Sequence, residues 1–182
     1  MILPFSTQLN GKPTYFVEKI HKCFGLKEIN MIAGLDPSLH YPKDYNFVAK
    51  DKLPAKLHTI REDAKERWKP GTMIDFFINC RQKSMFRFAP RIPVVTVQKI
   101  NIVWYNKKLI NNEVEIYIDG SFYAIVYFKN KVINYVDNCV FSDEKKLKAL
   151  ALNDGFDTVE EFLDYFNDNF KGKLIHWTNL KY

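Results

Sequence analysis

Between residues 72 and 136 the chain strings together five runs, TMIDFFINC, IPVVTVQKINIVW, EVEIYID, FYAIVYF and KVINYV, each rich in β-branched and aromatic residues and bounded by Gly, Asn, Pro or Lys. Side chains of that shape suit a pleated, half-buried surface, so five consecutive strands are expected. No helical stretch separates them, which removes the crossovers that parallel pairing requires and leaves a largely antiparallel sheet or small barrel. IDGS, between the third and fourth runs, signals a hairpin, because Gly120 accepts the positive φ of a primed turn.

Helical periods flank the strands. In GKPTYFVEKIHKCFG, Pro13 suits a first turn, Phe16, Ile20 and Phe24 recur at four-residue spacing, and Gly25 offers a C-cap. Lys12, Lys19, His21 and Lys22 stand off that stripe and read as a solvated face. Ser142 can cap DEKKLKALALN, which Asp154-Gly155 closes. Asp157 with Glu160 then starts a helix over Val159, Phe162, Leu163 and Phe166, which Gly172 ends before the closing strand KLIHW. The class is α+β. With 47% hydrophobic and 15% aromatic residues and no linker or repeat, residues 1–182 read as one domain. At about 30–55, Gly34, Pro37, Pro42 and Pro54 interrupt any period, so a long loop excursion is expected.

A formal charge of +6 favours polyanionic partners. Cys23, Cys80 and Cys139 are far apart with no C-x-x-C spacing, which argues against a disulfide framework or a zinc site. His21, His40 and His176 lack ligand spacing, so neither metal nor cofactor is expected. No basic and apolar leader opens the chain and no run of about 18 apolar residues occurs, so a cytoplasmic protein without a membrane span is expected.

The segment AKLHTIREDAKERWKPG, residues 55–71, is the most charged stretch between apolar neighbours. As a strand it places Leu57, Thr59 and Arg61 on one face and Lys56, His58 and Ile60 on the other, neither cleanly apolar. Glu62 to Trp68 reads as one or two helical turns before Pro70-Gly71. The order K-x-x-T-I-R-E-D, followed by an aromatic residue and K-P-G ahead of a strand, resembles the signature of the ASCH superfamily, a PUA-like β-barrel class. It is also similar to the small bacterial acetylcytidine amidohydrolases of that class, with Lys56, Thr59, Ile60, Arg61, Trp68, Lys69 and Gly71 at the matching places. The likeness covers residues 50 to 105 and, more loosely, ALALNDGFDTVEEF. It implies a small, mostly antiparallel barrel presenting a cleft for RNA or a modified nucleoside. It also implies Thr59 as nucleophile, Lys56 as its base, and Asp154, nearest in place to the family's glutamate, in proton transfer.

That chemistry makes physical demands. A threonine hydroxyl is weak until a base takes its proton, and a lysine serves only when burial or a nearby cation lowers its pKa. Arg61 can supply the like charge and can hold a carbonyl, carboxylate or phosphate with its planar fork. Residues three apart on a regular strand face opposite ways, so a turn at Lys56 is required. Asp154 also sits where a helix C-cap places Asp-Gly, and Glu62 or Asp63 are alternative carboxylates. His58 can contact a base or phosphate or satisfy a local hydrogen bond, and Trp68 can stack on a base or lie in the core. In CRQKSMFRFAPR, Arg81, Lys83, Arg87 and Arg91 alternate with Phe86 and Phe88, offering charge to phosphates and rings to bases, or a loop whose rings pack down. The sequence thus points to an RNA- or nucleoside-binding domain with a basic cleft on Lys56, Thr59 and Arg61. An amidohydrolase of acylated pyrimidine nucleosides, and a bacterial or phage accessory protein holding a protein partner through the excursion, are its rivals.

Overall fold

A computed structural model of the chain describes residues 1–25, 52–105, 111–129, 132–134 and 144–182. The expected excursion lies outside these up to position 51, as do Ser142 and Cys139. Strand β1 (Ile2–Phe5) is followed by a short hairpin of β2 (Gln8–Leu9) and β3 (Lys12–Pro13), and then by helix α1 (Phe16–Cys23). Pro13 therefore belongs to the hairpin, and α1 starts at Phe16, after Tyr15 in a left-handed conformation.

Strand β4 (His58–Arg61) leads to β5 (Met73–Ile78), β6 (Phe86–Arg87) and β7 (Ile92–Pro93). A smaller sheet forms around β5, with β1 parallel to it and β6 and β7 antiparallel. The long strands β8 (Thr96–Tyr105), β9 (Asn111–Ile118) and β10 (Ser121–Lys129), with β11 (Val132–Asn134), helices α2 (Glu144–Asn153) and α3 (Val159–Tyr165), and β12 (Phe170–His176), complete the order. They build a six-stranded antiparallel sheet in the order β11-β10-β9-β8-β12-β4. Asp119 and Gly120 both take positive φ, 51° and 81°, as the expected primed turn between β9 and β10 requires.

Among the described residues these strands do not close into a barrel. The two sheets instead meet at a corner, where Val94 N donates to Thr72 O at 2.8 Å and Val95 N donates to His176 O at 2.8 Å. One free edge of the large sheet is blocked locally. Ile60 N on β4 donates to the Asp154 carboxylate at 3.1 Å, and just before the strand Leu57 N donates to Asn153 O at 2.8 Å. An edge satisfied by a helix terminus has less to offer another strand.

Successive residues of β12 show how the core divides. Leu174 faces a cluster of Ile60, Ile102, Ile116 and Val126 beneath α2 and α3, whereas Ile175 faces Phe5, Phe76, Phe88 and Trp177 beneath α1 and the small sheet. Each such side chain, fully buried, contributes roughly 1.5–3 kcal/mol.

Three local expectations are corrected. Residues 62–68 form turns rather than a helix, because the Asp63 carboxylate accepts from Arg67 N and Trp68 N and Glu66 takes a positive φ of 49°. The cap of α3 is Thr158, one residue beyond the expected Asp157: its side chain accepts from Glu161 N at 3.2 Å. Gly172 lies inside β12, where an added Cβ would stand 2.5 Å from the Arg61 carbonyl oxygen. No helix among the described residues is long and apolar enough to cross a membrane.

Candidate functional site

Lys56 sits two residues ahead of β4, pinned by its own N–H to Lys19 O of α1 at 3.1 Å and by the neighbouring Leu57 N–H to the end of α2. Its side chain is 1% exposed, and its ammonium donates to the Asp154 carbonyl and, at 2.9 Å, to Asp154 Oδ1. The Phe16 ring lies 4.7 Å from the same nitrogen, within range of a cation–π contact. Asp154 Oδ1 also accepts from Ile60 N, and His58 Nδ1 approaches it to 3.6 Å. Asp154 thus follows α2 as a helix-terminal Asp-Gly should, yet its carboxylate is the hub of a buried polar cluster.

Gly155 permits this. Its φ is +91°, and a Cβ there would meet Lys56 Cδ and Phe16 Cε1 at 2.9 Å, so only glycine lets the lysine stem and the ring come this close. Beside it, Lys19 Nζ donates to Gly155 O at 2.8 Å and to Asp157 Oδ1 at 2.6 Å. Lys19 and His21 are 1% and 0% exposed, so this side of α1 is buried, not the solvated face its sequence suggests.

Burial dominates the electrostatics. It pushes Lys56 down to about 8, Arg61 and Lys19 adding like charge while Asp154 opposes. It pushes the Asp154 carboxyl up, but the adjacent Lys56 and His58 more than reverse this and hold it below the usual range. His58 is lowered by the same burial.

Thr59 and Arg61 leave β4 on the opposite face from His58 and Ile60. Arg61 donates to Pro4 O at 2.6 Å and stands 5.4 Å from the Phe5 ring centre, 6.0 Å from which lies the Lys56 ammonium. The two cations therefore converge on one ring. Thr59 is 3% exposed on that face, but the ammonium's hydrogen bonds go to Asp154, and none joins it to Thr59 among the described residues.

Other expected site residues lie apart. Trp68 is 5% exposed within the core cluster of Phe76 and Trp177 and has no face to offer a base. Asp63 turns to Lys173 at 3.1 Å and to the 67–68 backbone, away from Lys56. In the 81–91 segment Phe86 and Phe88 are buried, while Arg87 and Arg91 approach the Asp75 carboxylate at 4.0 and 3.3 Å. Arg81 and Lys83 are exposed in the turn after β5.

Next to the Lys56–Asp154 pair opens a cavity of about 500 Å3 lined by Tyr15, Phe16, Lys19, Gly155, Asp157 and Tyr165 among others. Behind the pair, His58 Nε2 lies 2.8 Å from Tyr182 Oη, and His176 packs its ring 5.1 Å from that of His58. Sequence reasoning missed Lys19, His176 and Tyr182 as neighbours of the site. His176 faces His58 only through the β4–β12 register, and Lys19 finds Asp157 138 positions away, so no local pattern marks either. Compared with family models, with curated proteins and with solved structures, the chain matches none.

Proposed function

We propose that the chain is a PUA-like domain of the ASCH type that binds a nucleoside-like ligand beside Lys56 and Asp154. One juxtaposition carries this: the cavity shares Phe16, Lys19 and Gly155 with the surroundings of the buried pair. Its volume of about 500 Å3 falls among small-molecule sites. Tyr15, Phe16, Phe156 and Tyr165 supply rings against which a base can stack, and Asp157 and Glu161 supply acceptors for amino and hydroxyl groups. Lys12 and Lys19 are balanced in the lining by Asp157, Glu161 and Asp164, a mixture that suits a neutral nucleoside better than a phosphate strand.

Calorimetric titration with cytidine, acetylcytidine and a single-stranded RNA at two salt concentrations tests this. Nucleoside binding that is insensitive to salt and weakened by Tyr165→Ala is the expected result. RNA binding that falls steeply with salt, without nucleoside binding, would replace the cavity reading with a strand-binding one.

The Lys56 ammonium favours a second reading, hydrolysis of the acetyl amide. With its pKa near 8, Lys56 can accept a proton close to neutral pH, as a general base must. In that scheme the Thr59 hydroxyl attacks the acetyl carbonyl as its proton passes to Lys56, cytidine leaves with a returned proton, and water releases acetate from the threonine ester. Release of cytidine from acetylcytidine, abolished by Thr59→Ala and by Lys56→Ala, is expected. Turnover surviving both substitutions refutes the roles.

A further inference from the structure

The polar cluster continues past Asp154 in a direction away from the cavity. Asn153 Nδ2 donates to Tyr182 Oη at 2.9 Å, and the same oxygen lies 2.8 Å from His58 Nε2. Tyr182 is itself docked by its backbone, with Tyr182 N donating to Gln98 Oε1 and Gln98 Nε2 donating to Tyr182 O, both at 2.9 Å. This anchoring fixes the hydroxyl that faces His58 Nε2.

With an Asn153 N–H already pointing at its oxygen, the Tyr182 hydroxyl satisfies its own proton by donating to His58 Nε2. His58 then carries its proton on Nδ1, and that N–H is aimed at Asp154 Oδ1 3.6 Å away. The other tautomer would set a nitrogen lone pair against a carboxylate and leave the phenol proton without an acceptor. Both ends of the ring therefore select the Nδ1–H form.

At 3.6 Å the contact is longer than a hydrogen bond, and Oδ1 is served by Lys56 Nζ and Ile60 N. If Lys56 loses its proton, its amine keeps two N–H bonds but no charge, and a neutral amine is a much weaker donor, so the Ile60 N–H becomes the strongest partner of the buried carboxylate. A buried carboxylate left without its countercharge is costly. We propose that His58, fixed in its Nδ1–H tautomer by Tyr182, is the reserve donor that keeps Asp154 satisfied when Lys56 gives up its proton. His58 and Tyr182 are then positioning residues that make Lys56 usable as a base; this rests on the reading of Lys56 as the base of the site. The charged and titratable groups facing His58 are Asp154 and Lys56, His176 across on β12, and Tyr182; Arg61 and Lys19 face Lys56.

The test needs no ligand. In the full chain, nitrogen NMR of the histidines and of the Lys56 ammonium follows both groups from below to above the Lys56 midpoint. A neutral His58 protonated on Nδ1 on both sides of that midpoint is expected. His58→Leu is expected to raise the Lys56 midpoint, a change of about tenfold or more in its ionisation constant, since deprotonation would then leave the carboxylate without a countercharge and without the nearby Nδ1–H. His58→Asn, which returns an amide N–H to the place of Nδ1, is expected to restore the midpoint; a purely structural role would not distinguish the two variants. If His58→Leu does not fold, Tyr182→Phe, which keeps every carbon of the wild type, is expected to mix the tautomers and move the midpoint the same way. An Nε2–H tautomer in the wild type, or a midpoint unmoved in a folded His58→Leu or Tyr182→Phe, overturns the proposal. Failure of acetylcytidine cleavage overturns the hydrolase reading alone, because these midpoints are read without substrate.

Discussion

Two regions of the molecule bring cations and aromatic rings together, and the fold uses them in opposite ways. At Lys56–Arg61 the rings of Phe5 and Phe16 lie against the cations themselves, and Lys56 is 1% exposed against an Asp154 side chain that is 5% exposed. In the 81–91 loop Phe86 and Phe88 turn inward, while Arg87 and Arg91 stay 29% and 54% exposed against Asp75. The first pair is out of water and the second is in it. Charge content therefore says little until desolvation is known, because water weakens the exposed pair and leaves the buried one at nearly full strength.

The largest expected difference comes from breaking each pair at its acid. Asp154→Ala strands a buried ammonium and removes the partner of Ile60 N, so a loss of roughly 3–5 kcal/mol in chemical denaturation is expected. Asp75→Ala should cost about 1 kcal/mol or less. Equal losses in the two variants would erase the distinction between the regions.

Acid should act on the buried region next. His58 and His176 are lowered by burial, His176 to about 3, from an ordinary value of 6.5. Both are thus neutral in the folded state where an unfolded chain would already bind protons. Their stabilisation is complete above about pH 6.5 and is lost as pH falls below it, by roughly 1.4 kcal/mol per pH unit for each histidine while its folded form stays neutral. Unfolding free energies measured between pH 7 and pH 4 should fall more gently in His176→Leu than in the wild type. Parallel slopes would mean that His176 is not buried neutral.

Sequence pattern made the sheet readable and the site only half so. Strand alternation is a local property, which is why β8, β9, β10 and the Asp119-Gly120 hairpin follow from their own residues. The Lys56–Asp154 pair spans 98 positions and was suggested only because a family resemblance linked the two places. Lys19 shows the limit most clearly. A lysine beside an apolar stripe reads as solvated, and it is buried because Asp157 and the Gly155 carbonyl, brought up by another helix terminus, satisfy its ammonium. Of the two places open to Trp68 in the sequence, the fold takes the apolar one: its indole fills the core under the β5 sheet.

Gly155 sharpens the contrast at smaller scale. Gly155→Ala forces a methyl within 2.9 Å of Lys56 Cδ and Phe16 Cε1 at a φ of +91°, and about 1–3 kcal/mol should be lost, with a raised exposure of Lys56 to acylating reagents. Gly25→Ala meets nothing within 4 Å at φ +65° and should lose only the smaller conformational part. Equal losses would show that the close approach at Gly155 is unimportant.

The smallest effects are expected in the 81–91 loop, where they still discriminate. Arg87→Ala and Arg91→Ala should each change stability by about 1 kcal/mol or less, since solvent replaces the lost partner of Asp75 and the N-terminal ammonium at 3.2 Å remains to neutralise it. Because that neutralisation is shared among three cations, the double variant should exceed the sum of the single ones, measured in denaturant at low salt, and the excess should shrink as salt screens the site. Strict additivity at both salt concentrations would mean that Asp75 is no hub at all.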